Sequence, residues 1–292
     1  MKIKVKKINA FSDRLDGGNP AGFVFNPPDL TDKEMSYISK TMNVSETAFV
    51  RPGKKSDYNI RFFSPEMEVD LCGHATIASF HMMASENIIT PDKSFITQET
   101  KAGILPIEVI FSNDKVKRVM MTQKKAILKD IFIDILKVSD SLNIEAKYID
   151  NNLPKQIVST GLFTFPICVK SFNILKEIKP DFNKVKKLCN KIGSGSLHLF
   201  TFDTIEPKSV YHARCFAPLY GINEDPVTGT ANGALCFYLS KNKIIDKTKF
   251  VCEQGDIMGR PGRVFVDVDK DIVKVGGTAK FVEEKTIKIN DF

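Results

Sequence analysis

The sequence predicts an α+β protein of two related lobes, and three observations carry that prediction. A stretch of acids, a glycine, a small residue and an apolar helical run occurs twice, from Glu68 to Ala75 and from Glu224 to Ala231. The surroundings keep one register. With Gly73 laid on Gly229, an offset of 156 residues, Glu68 meets Glu224, Ala78 meets Ala234, Gln98 meets Gln254 and Gly103 meets Gly259. Upstream, Arg61-Phe62-Phe63-Ser64-Pro65 matches Arg214-Cys215-Phe216-Ala217-Pro218 after a slip of three residues. The length, 292 residues, suits about two domains. The period is far too long for a solenoid. Each copy reads strand, loop, helix, strand, turn, strand. Two such lobes each present one helix N-terminus, and lobes that face each other turn both helix ends into one cleft.

The elements follow in order. Lys2 to Ala10 alternates apolar and charged residues and predicts a strand. It lacks the apolar core of a signal peptide, so a cytoplasmic protein is expected. Gly17 to Gly22 is a turn that matches neither a dinucleotide fingerprint nor a P-loop, and Gly22 to Phe25 resumes a strand. Thr31 with Glu34 forms a capping-box pattern. Met35, Ile38 and Met42 then fall at helical spacing, and the helix ends near Asn43. The chain from Asn43 to Val50 leaves that helix for a strand. Ile60 to Phe63 is a strand, Ala75 to Met83 a helix, and Ser94 to Ile110 two strands around Ala102-Gly103. From Asn113 the chain turns lysine-rich, which places the first lobe at 1–113 and the second at 114–280. In the second, Val116 to Thr122, Ile157 to Thr160 and Thr164 to Lys170 are strand-like, and Ile127 to Val138 carries a helical pattern. Asp181 to Ile192 is an amphipathic helix with Phe182, Val185, Leu188 and Ile192 on one face. Leu197 to Phe202, Val210 to Phe216, Phe250 to Glu253, Gly262 to Val268 and Val273 to Val275 are further strands, with a helix from Ala231 to Leu239. The last stretch, 281–292, is expected to return to the first lobe.

Composition excludes several classes. The apolar fraction of 42% is ordinary for a globular chain, and no run approaches the roughly 18 apolar residues of a membrane span. The six cysteines, at 72, 168, 189, 215, 236 and 252, show no CxxC and no metal spacing, as reduced thiols do. The net charge of +7 is spread over scattered lysines without interleaved aromatics. That is a basic surface and not a nucleic-acid site.

The chemistry concentrates at the two repeated turns. Pro226 biases Asp225 toward extended backbone, which stiffens the loop carrying its carboxylate. Gly229 and Thr230 open the following helix. The first N–H groups of a helix lack intrahelical partners and carry the positive end of its dipole, so they suit an anion. An acid beside such a socket pairs carboxylate binding with proton movement; the plainer reading is a turn acid or cap. At the first copy, His74 sits at the helix start, where the dipole lowers an imidazole pKa and favours the neutral form. The alternative is a capping or packing histidine, and His81, further in, is read as structural. Cys72 lies near enough to that helix end for its thiolate to be stabilised, against the alternative of a buried inert thiol. Glu46 stands among small and apolar neighbours, where desolvation raises a carboxyl pKa toward neutrality. Its alternative is an exposed acid on an edge strand.

Gly18-Asn19-Pro20-Ala21-Gly22, Ser45-Glu46-Thr47-Ala48-Phe49, Arg61 to Pro65, Glu68 to Thr76 and Glu224 to Gly229 together resemble the PhzF family. These are phenazine-biosynthesis-like isomerases with a diaminopimelate epimerase-like fold. Gln254-Gly255 and Gly259-Arg260-Pro261-Gly262 fit as well. The match runs from end to end and is thinnest from about 114 to 200. The resemblance implies two pseudo-symmetric lobes, each a mostly antiparallel sheet curled like a barrel around a central helix, with the active site between them. It implies no metal, no organic cofactor, a small carboxylate substrate and a homodimer. Glu46 falls at the general acid/base. His74 and Asp225 fall where substrate is bound and the proton relay assisted. Gly73, Gly229 and Thr230 fall where backbone N–H groups hold a carboxylate, and Asn19 and Ser45 are assigned to substrate binding within their blocks. Thr230 departs from the family's frequent serine and adds a methyl to the pocket.

The expected function is therefore cofactor-independent isomerisation by proton transfer. One alternative is a racemase or epimerase of an amino-acid-like substrate with two opposed bases. A strictly two-thiol version lacks its second cysteine, because Cys215 and Cys236 lie elsewhere in their elements. Another is a non-catalytic protein that binds small carboxylates. Nucleic-acid binding through the net charge would show affinity falling steeply with salt.

Overall fold

A computed structural model describes residues 1–289. The chain divides into two compact units, one holding 1–122 and the stretch from Gly276 onward, the other Gln123–Val275.

The first unit begins with β1 (Lys2–Ala10), β2 (Asn19–Phe25), α1 (Asp32–Met42), β3 (Thr47–Pro52), β4 (Tyr58–Phe63) and β5 (Glu68–Val69). It continues with α2 (Gly73–Ser85), β6 (Phe95–Thr100), β7 (Gly103–Ser112) and β8 (Lys115–Thr122). β1 runs antiparallel to β2, β2 parallel to β3, and β3 antiparallel to β4. β4 pairs antiparallel with β5 and parallel with β6, and β6, β7 and β8 form an antiparallel run. α2 buries Ala75 through Phe80 together with Met83 and Ala84. A helix apolar nearly all round belongs inside its sheet, and α2 packs against β1, β2, β3, β7 and β8. Its two buried hydroxyls turn inward: Thr76 Oγ1 donates to the Cys72 carbonyl and Ser79 Oγ to the Ala75 carbonyl, so neither is stranded. α1 forms as its sequence predicts. Thr31 and Glu34 close the capping box and Asn43 ends the helix in left-handed backbone at φ 52°. Its buried face, Met35, Ile38 and Met42, packs with Val24, Phe49 and Phe63.

The second unit holds β9 (Ile127–Asp130), α3 (Ile135–Leu142), β10 (Gln156–Ser159), β11 (Phe163–Cys168), α4 (Phe172–Glu177) and α5 (Phe182–Ile192). After them come β12 (Ser196–Thr201), β13 (Tyr211–Ala217), β14 (Ile222–Asp225), α6 (Gly229–Lys241), β15 (Lys249–Gln254), β16 (Gly262–Asp269) and β17 (Ile272–Gly277), whose last two residues are counted with the first unit. The pairing scheme repeats that of the first unit. β10 is antiparallel to β11, β11 parallel to β12, and β12 antiparallel to β13. β13 is antiparallel to β14 and parallel to β15, and β15 is antiparallel to β16. α6 is the counterpart of α2: both helices start and stop at positions separated by the 156-residue offset, and α6 buries every residue from Ala231 to Leu239. A second core lies under α3 and α5, where Val138, Leu142, Val185 and Leu188 meet Ile157, Phe165, Leu197 and Phe216.

The last strand, β18 (Ala279–Lys288), pairs antiparallel with β1 from Lys2↔Lys288 to Ala10↔Ala279 and so completes the first unit. The end of the expected stretch 281–292, residues 290–292, lies outside the described residues. Two readings need correction. Ile127 to Val138 is not one helical segment: residues 127–130 form β9 against β10, and the helix starts only at Ile135, capped by Asp134. The first unit runs to Thr122 and not to 113, because β8 is the hairpin partner of β7. α4, capped by Ser171, was not foreseen.

Candidate functional site

The first unit builds its chemical centre where the α1–β3 connection meets the start of α2. After Asn43 turns the chain, Glu46 enters beside β2, and its carbonyl accepts from the Gly22 N–H at 2.9 Å. Residue 22 has to be glycine, because a Cβ there would lie 2.3 Å from Thr47 Oγ1. On the other side, the loop before α2 is tied down by a bidentate pair. Arg61 Nε donates to Glu68 Oε1 at 2.9 Å and Nη2 to Glu68 Oε2 at 2.7 Å. Arg61 beside it holds the Glu68 carboxyl below its ordinary range, with further support from Lys101.

Between these supports stand four side chains. His74 Nε2 lies 3.3 Å from Glu46 Oε2 and 3.2 Å from Ser45 Oγ. Cys72 Sγ lies 3.6 Å from Glu46 Oε2, 3.4 Å from His74 Nδ1 and 3.8 Å from His74 Nε2. The side chains of Glu46 and His74 are 18% and 13% exposed, so the acid is neither in bulk water nor sealed off. Cys72 is the N-cap of α2, and no side chain caps the helix there. The N–H groups of its first turn, beginning at Gly73, thus present the positive end of the dipole beside a carboxylate, an imidazole and a thiol. Among the described residues, Glu46, Cys72 and His74 also form a group whose donor atoms all lie within 4.8 Å of one another.

The second unit builds a different turn. Arg214 pairs with Glu224 in the same bidentate way, at 2.8 and 2.9 Å. Thr228 is the N-cap of α6, and its side chain makes no capping hydrogen bond. Its Oγ1 donates to Asp225 Oδ2 at 2.5 Å. Gln254 locks the turn. Its Nε2 donates to the Asp225 carbonyl and to Thr228 Oγ1, while its Oε1 accepts from Thr228 N and Asn232 Nδ2. Thr230 is half-buried in the first turn of α6, and its carbonyl accepts from Thr160 Oγ1.

Of the residues singled out from sequence, the structure thus gathers Ser45, Glu46 and His74, with Gly73 opening the adjacent helix. Asn19 starts β2, buried, opposite Ala10. Asp225, Gly229 and Thr230 belong to the α6 turn of the other unit. Cys72 is buried as the plainer sequence reading expects, yet it touches both Glu46 and His74. Sequence reasoning missed Gln254 as an organiser; its traces were the match of Gln98 with Gln254 and the fit of Gln254-Gly255 to the family blocks.

The family model described as "PhzC-PhzF: Phenazine biosynthesis-like protein" matches residues 8–285. The chain belongs to that family. It is 34% identical to an uncharacterized isomerase, YfhB, of Bacillus subtilis, with 99% of each chain covered. It is 38% identical to an uncharacterized isomerase of Clostridium acetobutylicum, again over 99% of each. Among solved structures, a PhzF-family protein from Bacillus anthracis superposes with TM-score 0.90 at 32% identity, covering 99% of this chain and all of that one. A hydroxyproline epimerase from Agrobacterium vitis superposes with TM-score 0.64 at 10% identity, covering 99% and 93%, and shows the shared diaminopimelate epimerase-like fold alone. No helix among the described residues of this PhzF-family chain is long and apolar enough to cross a membrane.

Proposed function

We propose that this PhzF-family protein is an isomerase that moves a proton on a small carboxylate substrate without a cofactor, with Glu46 as the acid/base. One observation carries the proposal: a partly buried carboxylate lies 3.3 Å from an imidazole nitrogen, beside an uncapped helix N-terminus. The N–H groups at Gly73 hold the substrate carboxylate and stabilise the charge that develops as a C–H proton leaves. Glu46 takes that proton and returns it to a different carbon, so it ends the cycle as it began. His74 and Ser45 orient the carboxylate of Glu46 and the substrate. Sequence correspondence assigns Asn19, Asp225, Gly229 and Thr230 to substrate binding, with Asp225 also assisting the relay. The family resemblance adds a homodimer working in the cytoplasm, and sedimentation of the purified chain as a monomer would remove the first of these.

The test is a screen of cyclic and amino-acid carboxylates in heavy water, reading deuterium uptake by mass spectrometry. Uptake by at least one carboxylate, lost in Glu46→Gln while the ligand still binds, is the expected result. Full exchange in Glu46→Gln ends the proposed role of Glu46. Binding without exchange in the unaltered chain would instead make this a carboxylate-binding protein. An epimerase with opposed bases is less well supported, since the cap position of α6 carries Thr228 in place of a thiol.

A further inference from the structure

The two helix tips carry opposite kinds of side chain, and the sheet ladders fix which residue answers which. Arg61 pairs with Phe49 and Arg214 with Leu199, so two residues back Thr47 corresponds to Leu197. Thr47 pairs with Gly22 and Leu197 with Phe165. Gly22 therefore corresponds to Phe165 and, three residues earlier, Asn19 to Leu162. On the same count Ser45 corresponds to Gly195 and Glu46 to Ser196, while His74 and Thr230 match at the offset of 156. Side-chain direction agrees: Phe163 and Phe165 pack into the core under α3 and α5, so alternation turns Leu162 to the opposite face, toward α6. The polar set Asn19, Ser45, Glu46 and His74 is thus answered in the second unit by Leu162, Gly195, Ser196 and Thr230.

The space over Gly195 is filled as well. Arg61 and Glu68 are seven residues apart but Arg214 and Glu224 ten, and the longer connection carries Tyr220. A Cβ at 195 would lie 2.3 Å from Tyr220 Oη and 2.8 Å from its Cε2, so the end of the ring lies against the glycine. Where the first unit holds a serine hydroxyl, the second holds an aromatic ring. These groups adjoin one another. The Gly195 N–H donates to the Phe163 carbonyl at 2.7 Å, next to Leu162. The turn before Leu162 rests on α6: Thr160 Oγ1 donates to the Thr230 carbonyl at 3.1 Å, and a Cβ at Gly161 would meet Thr230 Cγ2 at 3.6 Å. Leu162 and Tyr220 nonetheless stay 56% and 52% exposed. Adjoining large apolar side chains left half in water mark a surface that a ligand covers.

We propose that Leu162 and Tyr220, with the Thr230 methyl, form an apolar lip that selects the substrate: a carboxylate bearing a hydrocarbon chain or an aromatic ring, and not one bearing a second charged head. The proposal rests on the assignment of the α6 tip to substrate binding. Desolvation makes the selection. A charged group set against leucine and a ring gives up water without gaining a partner, whereas each methylene covered there is favourable.

The test titrates the nitrogen-15-labelled full chain with straight-chain carboxylates from propanoate to octanoate, with 3-phenylpropanoate and with glutarate, reading affinity from amide shifts. Affinity should rise about 3- to 4-fold per methylene until the lip is covered, and 3-phenylpropanoate should bind at least ~10-fold tighter than propanoate. Glutarate should bind more weakly than hexanoate. Leu162→Asn, which installs the first copy's residue, should flatten the series and narrow the gap between glutarate and hexanoate. Tyr220→Ala should lower the slope and Tyr220→Phe keep it. A flat series in the unaltered chain, or a slope that survives both Leu162→Asn and Tyr220→Ala, overturns the lip. If Leu162→Asn does not fold, Leu162→Ala, which only shortens the side chain, decides by the same slope. Conversion of a dimer to a monomer by Leu162→Asn would give the lip to a second copy and overturn the selection. Deuterium uptake separates this proposal from the reaction. A rising series without uptake from any carboxylate rejects the isomerase and keeps the lip, and uptake with a flat series rejects the lip and keeps the isomerase.

Discussion

The two units are copies in their framework and differ at their tips. In each, an arginine on a central strand grips a glutamate at the start of the next turn and lies 4.9 Å over a phenylalanine two residues on, Arg61 with Glu68 and Phe63, Arg214 with Glu224 and Phe216. In each, a 13-residue buried helix follows whose N-cap side chain makes no capping hydrogen bond. The caps then part ways. Cys72 faces Glu46 and His74, whereas Thr228 is bound into a closed set with Asp225 and Gln254. The strand after α1 is entered through Ser45 and Glu46, but the strand after α5 through Ser194 and Gly195, where a Cβ at 195 would lie 2.3 Å from Tyr220 Oη. Duplication preserved the parts that hold a helix end in place and left the reactive groups to vary. A single acid, present in one copy, supports a mechanism in which one group both removes and restores the proton.

Breaking the asymmetry should have the largest effect. Under the proposed role, Glu46→Gln lowers deuterium uptake by about 10³-fold while carboxylate binding survives; uptake reduced by less than tenfold would put the acid elsewhere. The arginine pairs sharpen the comparison next. Arg214 is 8% exposed and also donates to the carbonyls of Leu175 and Ile178, whereas the Arg61 side chain is 34% exposed. Denaturant titration should find Arg214→Leu destabilising by about 3–5 kcal/mol and Arg61→Leu by about 1 kcal/mol. Equal losses would mean that the two clamps do the same job.

Acid should expose a further difference. β12 buries His198 completely, and β3, its counterpart, carries no histidine. Desolvation drives the His198 pKa from 6.5 down to about 4. The folded chain keeps it neutral while the unfolded chain takes up the proton first. Stability should therefore fall as pH drops from 6.5 to 4, by about 3 kcal/mol from this group, and no further below that. His81 in α2 is pushed to about 4 by the same cause and adds a second loss in the first unit. His198→Leu should flatten the slope of melting temperature against pH over that window; an unchanged slope would show that His198 is not its source. The smallest effect belongs to the paired glutamines. Among the described residues the Gln98 side chain makes a 3.5 Å contact to Thr76 Oγ1 and a 3.7 Å one to Met121 Sδ, against four bonds at the Gln254 side chain. Gln254→Leu should cost about 2 kcal/mol and Gln98→Leu about 1 kcal/mol or less, read from chemical denaturation midpoints.

The repeat was readable because a central helix tolerates few residues: Gly73 and Gly229, with their small and apolar followers, survive at one spacing in both copies. β1 and α1 were readable for local reasons, alternation in the first and a capping box in the second. β9 was not, since four residues, Ile127-Leu128-Lys129-Asp130, fit a helical period as well as a strand, and only pairing with β10 decides. Glu46 and His74 could be named individually from their surroundings. Their meeting with Cys72 depends on the β2–β3 register set by Gly22 and Thr47, a contact between distant stretches that no local pattern encodes.

The pairing of β18 with β1 has a consequence for biosynthesis. A ribosome delivers the Glu46 half first, yet that half lacks its closing strand until the entire Asp225 half has been made. The later-made half is therefore the first able to finish folding, and the earlier one waits with an open edge for a chaperone or for residue 288 to emerge.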